Sequence, residues 1–473
     1  MRMTQAVEEM PADATSMRES LTKGLTTPEA LVERAIERAK VVNPQLNFIA
    51  WPAFERARAQ ALEPRTGPFA GIPTLIKDSI EEKGMPASWG ATALRNYIAP
   101  EDSPYTRAIA NTGAISIARS AMPELALNVI TESALVGLTR NPWSHDHTPG
   151  GSSGGGSAAV AAGVVPVAHA ADGLGSIRHA AAPCGLVGLK PSRGRNFGNE
   201  TMRSISDLGV DGCVSRTVRD TATWLEATQS RAASAAFAPV PPITTPINRP
   251  LRIQAYNAIM RTGAAPDASV SRVLADTIDL LGRLGHKVTN GRLPFNGPDA
   301  IWSLFDMVEG LFARGLGALS QKLGFPIGSD DLEYRSATLV AAGKQINDER
   351  YKSAWLQMEA CAAAYLDRLS EIDIWMTPTL STETARIGVF GPDVAWLDQR
   401  EALIDYAGYC WIDNVAGTPS ISLPMGFSEN RLPVGIQFAT HPGGEALLLA
   451  FAYQLEAALE WWRHTPPIWV GED

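Results

Sequence analysis

The chain has 473 residues, of which 45% are hydrophobic and 19% are charged, a composition typical of a globular protein with a large core. Its formal net charge is −9 and no cluster of Lys and Arg stands out, so the sequence argues against nucleic acid or an anionic membrane as a partner. A membrane span needs about 18 or more consecutive apolar residues, and the sequence contains no such run.

The start of the chain and the cysteines indicate the compartment. The sequence MRMTQAVEEMPADATSMRES has no basic segment followed by an apolar one, so we expect no secretory signal peptide. Four cysteines lie far apart and form no metal-binding pair; they are Cys184, Cys213, Cys361 and Cys410. Scattered cysteines suit a reducing compartment, and we expect a cytoplasmic protein.

The first part of the chain, about residues 1–65, is predicted to be a helical region. Its strongest helix follows Thr27, a suitable N-cap, and has Pro28 at the first helical position. Apolar residues then recur at helical spacing up to about Val41.

The next predicted elements alternate in type. A short buried strand is predicted over 73–76, and residues 105–118 indicate a helix, a break at Gly113 and a second strand. Residues 157–162 indicate a buried helix, and strand character is expected near 164–167.

A Pro-rich stretch at 239–250 carries five prolines and predicts a connector, which could be a domain boundary or a long surface loop. Beyond it the pattern predicts strands at 251–256, 286–289 and 372–378, helices at 270–284 and 444–459, and a hairpin of 420–427 with 432–440. Because strands alternate with helices along the whole chain, the sequence predicts an α/β fold with helices flanking a sheet.

Several polar side chains could carry chemistry. Lys77 ends the first apolar strand, where a lysine is either a solvated strand end or, if buried, a neutral base. Ser152 and Ser153 lie among glycines, where serines are usually loop fillers. Ser176 follows Asp172-Gly-Leu-Gly, a loop whose backbone N–H groups could bind an anion.

Other chemistries fit the sequence less well. The segment 151–155 matches the G-x-S-x-G hydrolase motif, but HDHTPG stands before it where that motif requires a strand. His169 and His179 flank Ser176 and could be bases, although a single histidine is more often structural. His145 and His147 have no third ligand in a recognised metal pattern, and no Lys-Ser or Lys-Thr ends the glycine run as a nucleotide loop requires.

An ordered set of motifs resembles the amidase signature family. The motifs cover most of the chain and are GIPTLIKD (71–78), AMPE (121–124), TRNPW (139–143), PGGSSGG (149–155), DGLGSIR (172–178), CGLVGLKPS (184–192), MTPT (376–379), GTPSISLP (417–424) and LPVGIQ (432–437). The resemblance implies a single domain over residues 1–473, built on a large mixed central β-sheet covered on both faces by α-helices.

The resemblance also implies a Ser–Ser–Lys triad. By motif, Lys77 is the base, Ser152 the bridging serine and Ser176 the nucleophile that forms an acyl-enzyme. The family places a cis peptide bond before the bridging serine, here Gly151–Ser152. A neutral lysine near pH 7 requires a pKa lowered by about three units, and burial is the expected cause.

The loop around the nucleophile is expected to stabilise the transition state. Its oxyanion hole would be formed by the backbone N–H groups of Gly173, Leu174, Gly175 and Ser176. The supporting residues implied by the resemblance are Ser153, Asp172 and Arg178, of which the last two can form a buried ion pair that fixes the loop.

Some positions depart from the family pattern. Leu174 replaces the first of two glycines before the nucleophile, which preserves the N–H group but reshapes the site. His179-Ala180 stands where a proline commonly follows the arginine, and ARSAMPE replaces GKTNMPE. The stretches VAHAAD and KPSRGR are most similar to the branch of AmiC-type amidases and 6-aminohexanoate cyclic-dimer hydrolases.

The resemblance therefore implies an amidase, a hydrolase of linear or cyclic amide C–N bonds, that needs no cofactor or metal and acts on a small or apolar, including aryl, carboxamide. The stretches 302–307 and 406–411 suggest an apolar acyl pocket, and specificity is expected from variable loops after the connector. The alternative is a glutaminase-like subunit of a tRNA-dependent amidotransferase, with a protein partner. A homodimer is a family expectation.

Overall fold

Helices and strands alternate along most of the chain that the computed structural model describes, residues 13–471. The helices are α1 Ala14–Thr22, α2 Pro28–Leu46, α3 Phe54–Ala61, α4 Pro104–Asn111, α5 Gly154–Ala161, α6 Arg178–Cys184, α7 Val218–Thr228, α8 Ala268–Arg283, α9 Gly297–Leu323, α10 Tyr334–Lys344, α11 Asp348–Glu371, α12 Trp396–Ala407, α13 Trp411–Ala416 and α14 Glu445–Leu459. Among these described helices, none is both long enough and apolar enough to span a bilayer.

Strands form one large sheet and two small ones. They are β1 Ile49–Pro52, β2 Pro73–Lys77, β3 Ile115–Ser120, β4 Glu132–Ser133, β5 Gly137–Leu138, β6 Val167–Asp172, β7 Val187–Lys190, β8 Val210–Ser215, β9 Arg252–Ala255, β10 Lys287–Asn290, β11 Ile374–Pro378, β12 Ser420–Phe427 and β13 Pro433–Ala439. The large sheet has eight strands in the order β10-β9-β11-β13-β12-β7-β8-β6. Strands β10, β9 and β11 are parallel neighbours and the remaining pairs are antiparallel, so the sheet is mixed as predicted.

Helices cover both faces of this sheet, as the alternation along β12 shows. Ile421 and Leu423 pack into a buried apolar cluster with residues of α7, α8 and α14. Ser420, the residue before Ile421, points to the other face, where its hydroxyl accepts a hydrogen bond from Arg178 of α6 at 2.9 Å. Because successive side chains of a strand point to opposite faces, α6 and the α7, α8 and α14 group lie on opposite sides of the sheet. The predicted α/β fold is confirmed.

A second, three-stranded sheet carries the first strand of interest. Its order is β1-β3-β2, with β2 parallel to β3 and β1 antiparallel to it. The Thr74 hydroxyl of β2 donates to the carbonyl of Val167 in β6 at 2.9 Å, which joins the small sheet to the edge of the large one. This contact places the start of β2 beside the start of β6. At the other end of the two strands, Lys77 Nζ donates to the carbonyl of Ala171 at 3.3 Å.

The boundaries of α2 and β6 are among those that differ from the sequence prediction. Helix α2 continues past Val41 and through Pro44 to Leu46, because Val42 and Leu46 are buried and extend its apolar stripe. The strand expected near 164–167 begins only at Val167 and continues to Asp172. Residues 1–12 of the predicted N-terminal helical region lie outside the described residues.

The Pro-rich segment 239–250 contains no helix or strand. It links α7 to β9, and β9 belongs to the same eight-stranded sheet as β8, the strand before α7. The Ile247 N–H donates to the carbonyl of Ala450 in α14 at 2.8 Å. Ile243 and Ile247 pack against the apolar cluster that contains Ile421 and Leu423. The sheet therefore continues across this segment, which follows the surface as a loop.

Candidate active site

Lys77, at the end of β2, lies inside the protein rather than at a solvated strand end. Only 1% of the residue is exposed. Its Nζ donates to Ser152 Oγ at 2.7 Å and to Ser153 Oγ at 3.0 Å. Burial lowers the pKa of Lys77 to about 7, against a partial rise caused by the Asp172 and Asp211 carboxylates. A substantial fraction of this lysine is therefore neutral at neutral pH.

The glycine- and serine-rich loop before α5 is buried and tightly packed. The peptide bond Gly151–Ser152 is cis, as the resemblance implied. A Cβ on Gly151 would lie 2.7 Å from the backbone of Ile130, so the close approach of the two segments requires glycine. The Thr131 hydroxyl donates to the Gly150 carbonyl at 2.8 Å and accepts from the Gly154 N–H at 3.1 Å. These contacts hold Ser152 and Ser153 against Lys77.

The loop after β6 is held by a buried carboxylate. Asp172 Oδ1 accepts from the Gly175 N–H at 2.6 Å and Oδ2 from the Ile177 N–H at 3.2 Å. Arg178 donates to the same carboxylate through Nε at 2.9 Å and Nη2 at 3.0 Å. Burial alone would raise the pKa of Asp172, but Arg178 holds it well below its usual range. The ion pair expected from the sequence is present and fully buried.

Arg178 extends this network into the second half of the chain. Its Nη1 donates to Asp413 Oδ2 at 2.8 Å and to Gln437 Oε1 at 2.7 Å, and its Nη2 donates to Asn414 Oδ1 at 2.6 Å. The Asn414 amide in turn donates to the Asp172 carbonyl at 2.9 Å. Sequence reasoning did not identify these partners, although they lie in or beside the GTPSISLP and LPVGIQ motifs.

Ser176 lies in this loop, half-buried, and borders the same cavity as Lys77 and Ser152. Within the described residues its hydroxyl has no hydrogen-bond partner. The preceding residue, Gly175, has φ of +132°, and a Cβ there would lie 2.1 Å from the His179 ring, so only glycine fits this turn. The structure thus brings the three predicted triad residues to one cavity and joins Lys77 to Ser152 directly.

The four N–H groups expected to form the oxyanion hole are not equivalent. The Gly175 N–H is engaged by Asp172, as described above, and is not available to a substrate. For Gly173, Leu174 and Ser176, no acceptor for the N–H group is found among residues 13–471. The candidate anion site is therefore narrower than the sequence suggested.

The cavity has a volume of about 480 Å³ and is mostly apolar. Apolar side chains from α9, α10, α12 and α13 form much of its wall, among them Leu304, Phe305, Val308, Leu311, Phe312, Leu339, Trp396, Leu403 and Trp411. The sequence predicts that variable loops after the connector determine substrate specificity. In the structure, helices after the connector form most of the apolar wall of the cavity. The helical spacing of 304, 308, 311 and 312 is the signal that could have identified it.

The two aromatic stretches line the cavity only in part. Phe305 and Trp411 border it, as expected. Trp302 is 45% exposed, and Tyr406 is buried in a separate cluster with Phe390. Leu125 and Leu127, which precede the Gly/Ser loop, also line the cavity and were not anticipated.

The histidines on either side of Ser176 differ in position. His169 Nδ1 accepts from the Lys77 N–H at 3.1 Å and its Nε2 contacts Asp211 Oδ1 at 3.1 Å, so His169 supports the backbone of the lysine. His179 borders the cavity, and burial lowers its pKa to about 4, which keeps it neutral. In the part of the chain that the structure describes, no group of three or more His, Cys, Asp or Glu is arranged to hold a metal ion.

Comparison with known proteins places this chain in a family. The family model described as Amidase matches residues 30–449. The chain is 35% identical over 466 residues to "Putative amidase AmiC" of Mycobacterium tuberculosis (strain ATCC 25618 / H37Rv), covering 96% of each chain. It is 30% identical over 483 residues to the 6-aminohexanoate-cyclic-dimer hydrolase of Paenarthrobacter ureafaciens, again covering 96% of each.

The fold gives the same result. A solved structure of 6-aminohexanoate cyclic dimer hydrolase complexed with substrate superimposes with a TM-score of 0.87 at 29% sequence identity, covering 96% of this chain and 98% of the other. The range 30–449 that matches the family model contains the β2 strand, the Gly/Ser loop and the loop of Ser176. The chain therefore belongs to the amidase signature family and is a hydrolase that acts on amides.

Proposed function

We propose that this protein hydrolyses a small or apolar, including aryl, carboxamide to a carboxylic acid and ammonia or an amine through an acyl-enzyme on Ser176. The observation that carries the proposal is the 2.7 Å contact of Lys77 Nζ with Ser152 Oγ inside an apolar cavity that Ser176 also lines. The relative named for a cyclic-dimer hydrolase extends the proposal to cyclic as well as linear amides.

The proton path follows from the geometry of the lysine. Neutral Lys77 takes the proton of Ser152, and Ser152 takes the proton of Ser176 as the Ser176 oxygen attacks the amide carbonyl. The tetrahedral oxyanion accepts hydrogen bonds from the N–H groups of Gly173, Leu174 and Ser176. One such donor contributes about 3–4 kcal/mol to transition-state stabilisation.

The second half of the reaction reverses the relay. The proton returns from Lys77 through Ser152 to the leaving nitrogen as the C–N bond breaks. A water molecule then attacks the acyl-enzyme and gives a proton through Ser152 to Lys77. That proton returns through Ser152 to Ser176 Oγ as the acyl–oxygen bond breaks and the acid leaves. Each step uses side chains of this chain and water.

Ser153, Asp172 and Arg178 are proposed as supporting residues. Ser153 Oγ accepts from Lys77 Nζ and donates to the Ala171 carbonyl at 3.1 Å, so it fixes the lysine between the two loops. Asp172 and Arg178 hold the loop of Ser176 in the turn that Gly175 permits. We expect these residues to position the triad without contacting the reacting atoms.

A serine-reactive fluorophosphonate tests the proposed nucleophile. We expect stoichiometric labelling of the native protein, located at Ser176 by peptide mass spectrometry, because the relay to Lys77 activates this serine and no other. A panel of primary and aryl amides with L-glutamine included tests the substrate class. Labelling elsewhere would refute the nucleophile, and turnover of glutamine alone, dependent on a partner protein, would indicate the glutaminase-like alternative.

The pH dependence of kcat/KM should report Lys77. The base form is the neutral amine, and burial lowers the pKa of Lys77 to about 7, so protonation removes activity as the pH falls below that value. We expect a plateau above about pH 7 and a fall of about tenfold per pH unit below it. Rates measured from about pH 5 to about pH 9, with melting curves as the control for unfolding, check this. A profile that stays flat down to about pH 5 would contradict a lysine base.

A further inference from the structure

A buried arginine in the wall of the cavity lacks the partners that buried arginines normally have. Arg335 of α10 is 3% exposed and lines the same cavity as Lys77 and Ser176. Within residues 13–471, its Nε and Nη2 have no hydrogen-bond acceptor. Arg178 and Arg195 are equally buried, and each is paired with a carboxylate at 2.9 Å.

The side chains around Arg335 do not neutralise it by direct contact. Its guanidinium lies over the Trp396 ring, 5.1 Å from the ring centroid. Glu124 Oε2 accepts from the Glu333 N–H at 3.0 Å and Glu333 Oε1 accepts from the Ala134 N–H at 2.6 Å, while the buried Glu124 Oε1 has no hydrogen-bond partner among the described residues. Arg335 therefore makes no ion pair with a described carboxylate, although Glu124 and Glu333 attract it from a distance.

The charge of Arg335 persists at neutral pH. Burial lowers the pKa of Arg335 to about 10, which still leaves it protonated. An unpaired N–H group in the interior destabilises the folded protein, and more so when it carries charge. Nε and Nη2 are closed off from the cavity, so a ligand there would contact the guanidinium through Nη1. A carboxylate is the strongest complement, because its hydrogen bond to a charged N–H group is charge-assisted.

We propose that Arg335 binds the carboxylate of substrates in which an apolar chain separates that carboxylate from the scissile amide. The cavity supports this arrangement, because Leu304, Val308 and Leu339 give the chain an apolar surface while Arg335 supplies a positive group in the same wall. The inference rests on the proposed amidase activity of Ser176 and adds to it a substrate class, the monoamides of dicarboxylic acids.

Two substrates of equal length test the preference. Hexanamide and adipamic acid differ only in whether the far end is a methyl group or a carboxylate. The wild-type protein should prefer adipamic acid, and in R335M the ratio of kcat/KM for adipamic acid to that for hexanamide should fall about 10- to 100-fold, because a charge-assisted hydrogen bond is lost. The ratio does not depend on how much of the variant is folded.

A matched control separates this effect from loss of charge. Arg272 lies on the surface, where its Nη1 is 3.6 Å from Asp276 and its side chain is 47% exposed. R272M removes one positive charge outside the cavity and should leave the ratio unchanged, whereas R335K should restore part of it. An unchanged ratio in R335M would overturn the proposal.

A binding experiment keeps the proposal independent of turnover. Adipamic acid and hexanamide are titrated by calorimetry into S176A and into the S176A/R335M double variant, with near-ultraviolet circular dichroism to verify folding. We expect R335M to weaken adipamic acid binding at least about tenfold relative to hexanamide. Equal weakening of both ligands, or of neither, would overturn the carboxylate site. Absence of amide hydrolysis with intact selectivity for adipamic acid would refute the proposed function alone.

Discussion

Ser176→Ala should abolish amide hydrolysis, with kcat reduced about 10⁴-fold or more. Ser176 Oγ is proposed as the atom that bonds to the acyl group. Because the triad acts as a unit, Lys77 and Ser152 cannot compensate for its loss. The cavity wall and the loop held by Asp172 and Arg178 remain, so substrate binding should persist. Ammonia release from a simple amide and calorimetric binding of the same amide measure the two properties separately.

A second serine provides the control for this variant. Ser116 is buried in β3, beside the strand that carries Lys77, and its hydroxyl donates to the Ala118 carbonyl at 3.3 Å. Ser116→Ala removes a buried hydroxyl outside the cavity and should change kcat by less than about threefold. Substantial turnover by folded Ser176→Ala protein would remove the acyl-enzyme mechanism.

The fold could be predicted from the sequence where local patterns are strong. Helix α8 was expected over 270–284 and lies at Ala268–Arg283, because its apolar face recurs at helical spacing and Asp267 caps it. The hairpin of β12 and β13 was expected from two apolar runs around a polar turn near 428–431. The order of strands was not accessible, because the contact of β2 with β6 joins segments that are far apart in the sequence.

The site shows the same division between local and long-range information. Motifs placed Lys77, Ser152 and Ser176 on separate elements, and the structure brings them to one cavity. The motifs could not show which segments bury Lys77. A lysine at a strand end is solvated unless another segment covers it. The β6 strand and the Gly/Ser loop provide that cover, through the Ala171 carbonyl and two serine hydroxyls.

The residues that line the substrate site were the hardest to predict from the sequence. Arg335 lies in no recognised motif. Its proposed role depends on its lack of a hydrogen-bond partner among the described residues of the folded protein. In the sequence pattern, the Gly175 N–H group is equivalent to the N–H groups of its neighbours. In the structure it donates to Asp172 and is not available to a substrate. Such assignments require the positions of groups on different elements, which periodicity and composition do not determine.

Lys77→Met should reduce kcat/KM at least about 10³-fold, because the variant keeps the length of the side chain but removes the group that accepts the proton. The loss should be present across the whole pH range, and the fall in activity below about pH 7 should disappear from any residual rate. Labelling of Ser176 by a fluorophosphonate should slow to a similar degree, since the same relay activates the serine toward both reagents.

A second buried lysine shows whether this effect belongs to the base or to any lysine in the interior. Burial lowers the pKa of Lys190 to about 7, as it does for Lys77, but Lys190 Nζ donates to the Pro191 carbonyl at 2.9 Å and the residue does not border the cavity. Lys190→Met should therefore alter the melting temperature more than the rate, with kcat/KM within about tenfold of wild type. Equal losses of activity in the two variants, both folded, would show that burial of a lysine and not its contact with Ser152 is what activity requires.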